Sequence, residues 1–175
     1  MLGRGGATRP EILMAVPPAQ RNRAEIRHAQ PDGSVLFCGT NLRVRVAVLK
    51  PGLVLVSAHG EVADTQDASA EAALLAELDC ELERAGTLTL FADLRESPRM
   101  PAASRDKIAH WTRRHQARLL PSHALVRSNL LEMALSIITM LVGGGVFKIH
   151  TSTRSFLDAL KKVSPALTEL PRIPE

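Results

Sequence analysis

From Asn41 onward apolar and polar side chains alternate with the period of an extended chain. Leu42-Arg43-Val44-Arg45-Val46-Ala47-Val48 reads as a half-buried strand. Lys50-Pro51-Gly52 is turn chemistry, and Leu53-Val54-Leu55-Val56-Ser57-Ala58 returns as a second strand, so the pair predicts a hairpin that ends at His59-Gly60-Glu61-Val62. The period then lengthens to that of a helix. Leu74, Leu78 and Leu82 form one stripe on a segment that Asp67 or Ser69 would cap and Gly86 would stop. Thr87-Leu88-Thr89-Leu90-Phe91 is β-branched and aromatic and predicts a buried strand over 87–92, with Asp93 just past its end. Alternation of elements continues as helix 101–119, strand 123–127, helix 129–142, strand 146–150 and helix 153–163, and Ser34-Val35-Leu36-Phe37 is a weakly signalled strand ahead of them. The order predicts an α/β fold, a mixed β-sheet of about four to five strands with about four helices packed on it.

Three regions follow. Residues 1–33 are rich in Gly, Pro and Arg and read as a flexible arm in which Met14 is an alternative start; residues 34–163 form the domain; residues 164–175 are a tail that Pro165, Pro171 and Pro174 should leave frayed. With 45% hydrophobic residues among 175 the chain can build a core, but aromatic residues are only 3% and tyrosine is absent. That scarcity argues against a sugar cleft or a base-stacking platform. A net charge of +4 and a pI near 9.6 suit an acidic partner and fall short of a nucleic-acid signature. Cys38 and Cys80 form no CxxC pair and read as small buried residues with reduced thiols. The start has no apolar signal core, and the apolar stretch from Leu130 to Phe147 is broken by Glu132 and Gly143-Gly144-Gly145. A cytoplasmic protein without a transmembrane segment is expected.

The run TLTLFADLRESPRMPAAS, residues 87–104, carries the most information. It resembles the strand, loop and helix start of STAS domains, the fold of bacterial anti-sigma-factor antagonists. Gly60-Glu61-Val62 resembles the turn these domains carry before their first helix. Phe147-Lys148-Ile149-His150 with Ser155-Phe156-Leu157-Asp158-Ala159-Leu160, and His110-Trp111 with His115, are similar to the SpoIIAA-like (STAS/SEC14) subgroup. The likeness covers roughly residues 41–163. It implies a protein–protein interaction module in bacterial signalling or scaffolding, with its partner over the loop after Asp93 and the start of the second helix. In the family a phosphorylatable serine stands in a Met-Asp-Ser-Ser-Gly-like run; here Met100-Pro101-Ala102-Ala103-Ser104 puts alanine in its place. Ser104 lies two positions later and is expected to be engaged as a helix cap.

Charge refines where a partner would sit. On the second helix Ile108, Trp111, His115 and Leu119 fall on one stripe toward the sheet, while Lys107, His110, Arg113, Arg114 and Arg118 fan over the other side. That basic side is either a solvated face or a docking face for an acidic protein surface, an anionic lipid or a phosphate group, and glutamates at Arg113, Arg114 and Arg118 are expected to spare the fold. Asp93, Arg95, Ser104, Arg105, Lys107, His110, Arg113, Arg114 and Arg118 are therefore the candidate partner-binding residues. The first helix is acidic, with Glu71, Glu77, Asp79, Glu81 and Glu83 against Arg84. The third is apolar nearly all round, with a thin stripe of Glu132, Ser136 and Thr139, and needs cover beyond the sheet. Leu130, Met133, Leu135, Ile137, Ile138 and Met140 are the candidate homodimer contacts. A wall facing an apolar ligand is the competing use, which would make the protein a small lipid or apolar-metabolite carrier. Catalysis finds no support: the histidines are scattered, no GxSxG nucleophile motif occurs, and the triple glycine lacks the Lys-Ser/Thr of a phosphate loop. No enzyme activity, cofactor or metal is expected.

Overall fold

A computed structural model describes residues 26–143, 145–167, 169–171 and 173; the arm over 1–25 and the Met14 start lie outside them. Seven strands form a single sheet in chain order, β1 (Arg27–Ala29), β2 (Val35–Cys38), β3 (Leu42–Lys50), β4 (Leu53–Gly60), β5 (Thr89–Glu96), β6 (Ser122–Leu125) and β7 (Phe147–His150). The first four pair antiparallel as a meander and the last four pair parallel. The expected four to five strands become seven. β1 spans three residues inside the stretch taken as an arm, where the side chains are exposed and no burial pattern could announce it, and it is held by pairing with β2. β6 and β7 are only four residues each.

Helices α1 (Thr65–Ala85), α2 (Ala102–His115) and α3 (Asn129–Val142) connect the later strands, and α4 (Thr153–Val163) follows β7. The first three cover one face and α4 the other. On the three-helix face Val44, Val54, Val56, Leu78, Leu82 and Trp111 form one apolar cluster, and Ala92, Ala124, Leu131, Leu135, Ile138 and Val142 another. Beneath α4 lie Leu53, Leu55, Phe91, Leu125, Phe156 and Leu160. Leu167 and Leu170 pack against that cluster, so part of the tail expected to fray is tied down. Cys38 is half-buried and Cys80 exposed, both as free thiols, so the expected burial fails for Cys80.

The start of α1 is fastened by a buried carboxylate. The N-cap is Asp64, and Asp67, expected as a cap, sits at the third helical position and completes a capping box with it. Asp67 is fully buried, and its two oxygens accept from Asn41 N, Leu42 N, Ala63 N, Asp64 N and Asn41 Nδ2 at 2.8–3.3 Å. Burial would raise its pKa, but the hydrogen bonds from Asn41, Ala63 and Leu42 outweigh it and hold the carboxyl at about 2. Gly39 leaves room for this group, since a Cβ there would stand 2.2 Å from Asp67 Oδ1. Gly60 ends β4 with φ +84°, where a Cβ would stand 1.8 Å from Asn41 O.

Candidate docking surface and the cavity beneath it

Strand β5 runs through Glu96, so Asp93 lies within the strand and not past its end. Asp93 is buried and accepts from Arg95 Nε at 2.8 Å and Nη2 at 2.7 Å, a bidentate pair on the α4 side that reaches Thr153 through Arg95 Nη1. These two candidates are thus turned toward α4, away from the start of α2. Ser97 through Pro101 form the loop that leads into α2. Proline stands at the N-cap of α2 without a side-chain hydrogen bond, and Ala102 and Ala103 open the first turn, exposed to solvent. Ser104, the next residue, is 3% exposed and unpartnered. It neither caps the helix nor reaches a partner, because the position that follows two exposed alanines points inward at the α-helical repeat.

The basic helix spends much of its charge inside the molecule. Lys107 Nζ donates to the buried Glu71 of α1 at 2.5 Å, and Arg105 bonds its neighbour Asp106. Arg118, in the short 3-10 turn Gln116–Arg118, donates to Leu82 O, to Gly86 O at 2.8 Å and to Glu83 at 2.8 Å, satisfying carbonyls at the C-terminus of α1. Arg113 donates to Leu141 O at 2.7 Å near the end of α3. Charge reversal at Arg118 therefore strips a helix terminus of its donors, which corrects the expectation that this site is dispensable to the fold. His110 and Arg114 remain exposed beside Arg113. The core stripe falls where the helical period puts it, with Trp111 and His115 buried. Trp111 Nε1 donates to Asp79 at 2.7 Å, and His115 Nε2 lies 3.0 Å from the same oxygen without hydrogen-bond alignment.

On α3 the candidate dimer contacts divide. Leu135 and Ile138 are buried in the core and cannot meet a second copy. Leu130, Met133 and Met140 are exposed, joined by Leu141, and Ile137 is half-buried.

Beneath α2 the three-helix face holds a partly open cavity of about 140 Å³. Its floor is the sheet, with Val44, Val56, Ala58, Leu90 and Ala92; its walls are Leu74 and Leu78 of α1, Leu131 and Leu135 of α3, and the inward stripe of α2. The lining is almost wholly apolar. Two hydroxyls on the α2 wall, Ser104 Oγ and Thr112 Oγ1, are buried without a partner. Glu61 and Arg99 line the same cavity, and their ion pair joins the loop after β4 to the loop before α2; Arg99 Nη2 to Glu61 Oε1 is 3.0 Å. The bond from Arg99 holds the Glu61 carboxyl below its ordinary range. A ligand-facing wall on the third helix was one of the expected uses of its apolar surface, and Leu131 and Leu135 do line the cavity; its place under α2 and the Glu61–Arg99 pair were not expected from sequence. One signal was readable: Ser104, Ile108, Trp111 and Thr112 share a helical face, so two hydroxyls stand on an apolar stripe.

Comparison with solved structures places the fold. The unphosphorylated form of the anti-sigma factor antagonist SpoIIAA superposes with a TM-score of 0.51 at 13% identity, over 71% of this chain and 99% of that one. An uncharacterized DUF3478-family protein with a SpoIIAA-like fold from Shewanella loihica PV-4 gives a TM-score of 0.50 at 15% identity, over 69% and 94%. No family model matches the sequence, and no curated protein matches it. The chain has a SpoIIAA-like, STAS-type fold. No helix among the described residues is long and apolar enough to cross a membrane.

Proposed function

We propose that the protein is a non-enzymatic STAS-type interaction module whose protein partner, acidic on its contact surface, docks over the Ser97–Pro101 loop and the outer face of α2. The observation that carries this reading is the exposed first turn Ala102–Ala103, followed along the same helix by exposed His110, Arg113 and Arg114. The alanines stand where the resemblance implies a phosphoacceptor, and the nearby Ser104 is shut inside, so docking here works without a serine phosphate switch. Signalling or scaffolding in a bacterial cytoplasm is the setting this role suits, with self-association through exposed Leu130, Met133 and Met140 as part of the same proposal. The test is charge reversal at His110 and Arg114, which carry no bond to another element. The double glutamate variant should keep the wild-type circular dichroism spectrum and lose the partner that wild type captures from its native host. A folded variant that captures the same partner at the same level removes the docking face.

A second reading, a small lipid or apolar-metabolite carrier, is favoured by the cavity beneath α2. An apolar pocket with a few polar groups on one wall is the common form of a small-molecule site.

A further inference from the structure

Resting on the carrier reading, we infer that the occupant of the cavity is a compact apolar molecule with a single hydrogen-bonding group turned to α2, and not an extended lipid chain. Size sets the first part. A cavity of about 140 Å³ is close to the roughly 150 Å³ engineered space that accepts benzene or xenon while staying dry. Packed elements bound most of it: the sheet below, α1 and α3 at the flanks, α2 above. The Glu61–Arg99 pair spans the remaining side, between the β4–α1 loop and the β5–α2 loop.

Polarity sets the second part. Buried hydroxyls are nearly always bonded, because an unmade bond forfeits the hydration lost on burial. Ser104 Oγ and Thr112 Oγ1 are two exceptions on one wall of one cavity, 3% and 0% exposed. They stand eight residues apart on the same face of α2, on either side of Ile108, so an occupant between them can bond one or both. A hydroxyl or carbonyl group on the occupant satisfies them; the charged side chains of the lining are already matched, Arg99 with Glu61 and Glu71 with Lys107.

The protein supplies its own reporter, because Trp111 is the single tryptophan, there is no tyrosine, and Trp111 lines the cavity. Cyclohexanol and palmitate are titrated in turn against the full chain while Trp111 fluorescence is followed. The inference expects a saturable change with cyclohexanol that palmitate neither reproduces nor displaces. The Ser104→Ala/Thr112→Val variant should bind cyclohexanol about fivefold more weakly, the worth of about one hydrogen bond. Ala92→Leu, which fills the floor, should abolish binding; Ala58→Leu serves the same purpose if the first does not fold. Palmitate that saturates and displaces cyclohexanol leaves the carrier reading standing and overturns this inference. No saturable change with either probe removes both. Wild-type affinity in the Ser104/Thr112 variant overturns the assignment of the polar group to α2.

Discussion

Replacing Asp67 by asparagine tests how the first helix is fastened to the sheet. The carboxylate accepts five donors, two on Oδ1 and three on Oδ2. An asparagine retains one acceptor oxygen and turns an NH2 group toward the donors that faced the other, so hydrogen bonds to a charged group are replaced by opposed donors. Such losses are worth about 1.5–3 kcal/mol each when buried, and partial relaxation brings the whole to about 2–4 kcal/mol. The pKa gives an independent figure. A carboxyl held at about 2 against an ordinary 3.8 contributes about 2 kcal/mol to folding at neutral pH. Because the folded value is the lower one, this contribution is complete above pH 3.8 and is lost as pH falls through 2. Urea unfolding followed by Trp111 fluorescence at pH 7 and pH 2.5 measures both quantities. The gap between wild type and Asp67→Asn should be about 2–4 kcal/mol at pH 7 and about 1.5 kcal/mol smaller at pH 2.5. A gap under about 0.5 kcal/mol at pH 7, within what an ordinary surface change produces, or a gap unchanged by pH, refutes the reasoning.

Trp111→Ala removes a buried ring and its hydrogen bond to Asp79, and should cost about 3–5 kcal/mol by the same urea assay followed by circular dichroism; a loss below about 1 kcal/mol contradicts its placement. His123 Nδ1 and His150 Nε2 lie 2.9 Å apart with His150 Nδ1 on Ser155 Oγ, and both pKa values are lowered from 6.5, by burial first, then for His123 by His150 and Lys148 and for His150 by Lys148. Depressed histidines favour the fold only while neutral, so stability should decline as pH falls from about 6.5, and a His123→Gln/His150→Gln variant should flatten that decline; an unchanged slope counts against it. If α3 carries a dimer contact, Met133→Glu/Met140→Glu should convert dimer to monomer in sedimentation velocity, and a wild type that is monomeric at every concentration removes the contact.

Where one element's own pattern decides, sequence reasoning succeeds. The alternation from Leu42 to Ala58 marks the hairpin, and the bounds of α3 and α4 agree with the periodic segments read over 129–142 and 153–163. Failures fall where a partner element decides. β1 exists because β2 offers it a ladder, and Asp93 is inside a strand because β5 continues alongside β4 as far as the His59–Glu96 pair. The basic face of α2 looked outward on a helical wheel, yet Lys107 and Arg118 turn to α1, whose acids and C-terminal carbonyls no wheel of α2 contains. The cavity is a mismatch of shape between three helices and a sheet, a property of their assembly that no single segment encodes.

Site-specific photo-cross-linking in the native host addresses the central claim directly. A photoreactive residue at Ala102 samples the exposed first turn of α2; one at Lys161, on α4 across the sheet, samples the opposite side of the fold. The docking account predicts a discrete protein adduct from Ala102 that is absent from Lys161 and is lost when His110 and Arg114 are reversed to glutamate. The same adducts from both positions, or none from Ala102 with one from Lys161, contradict it.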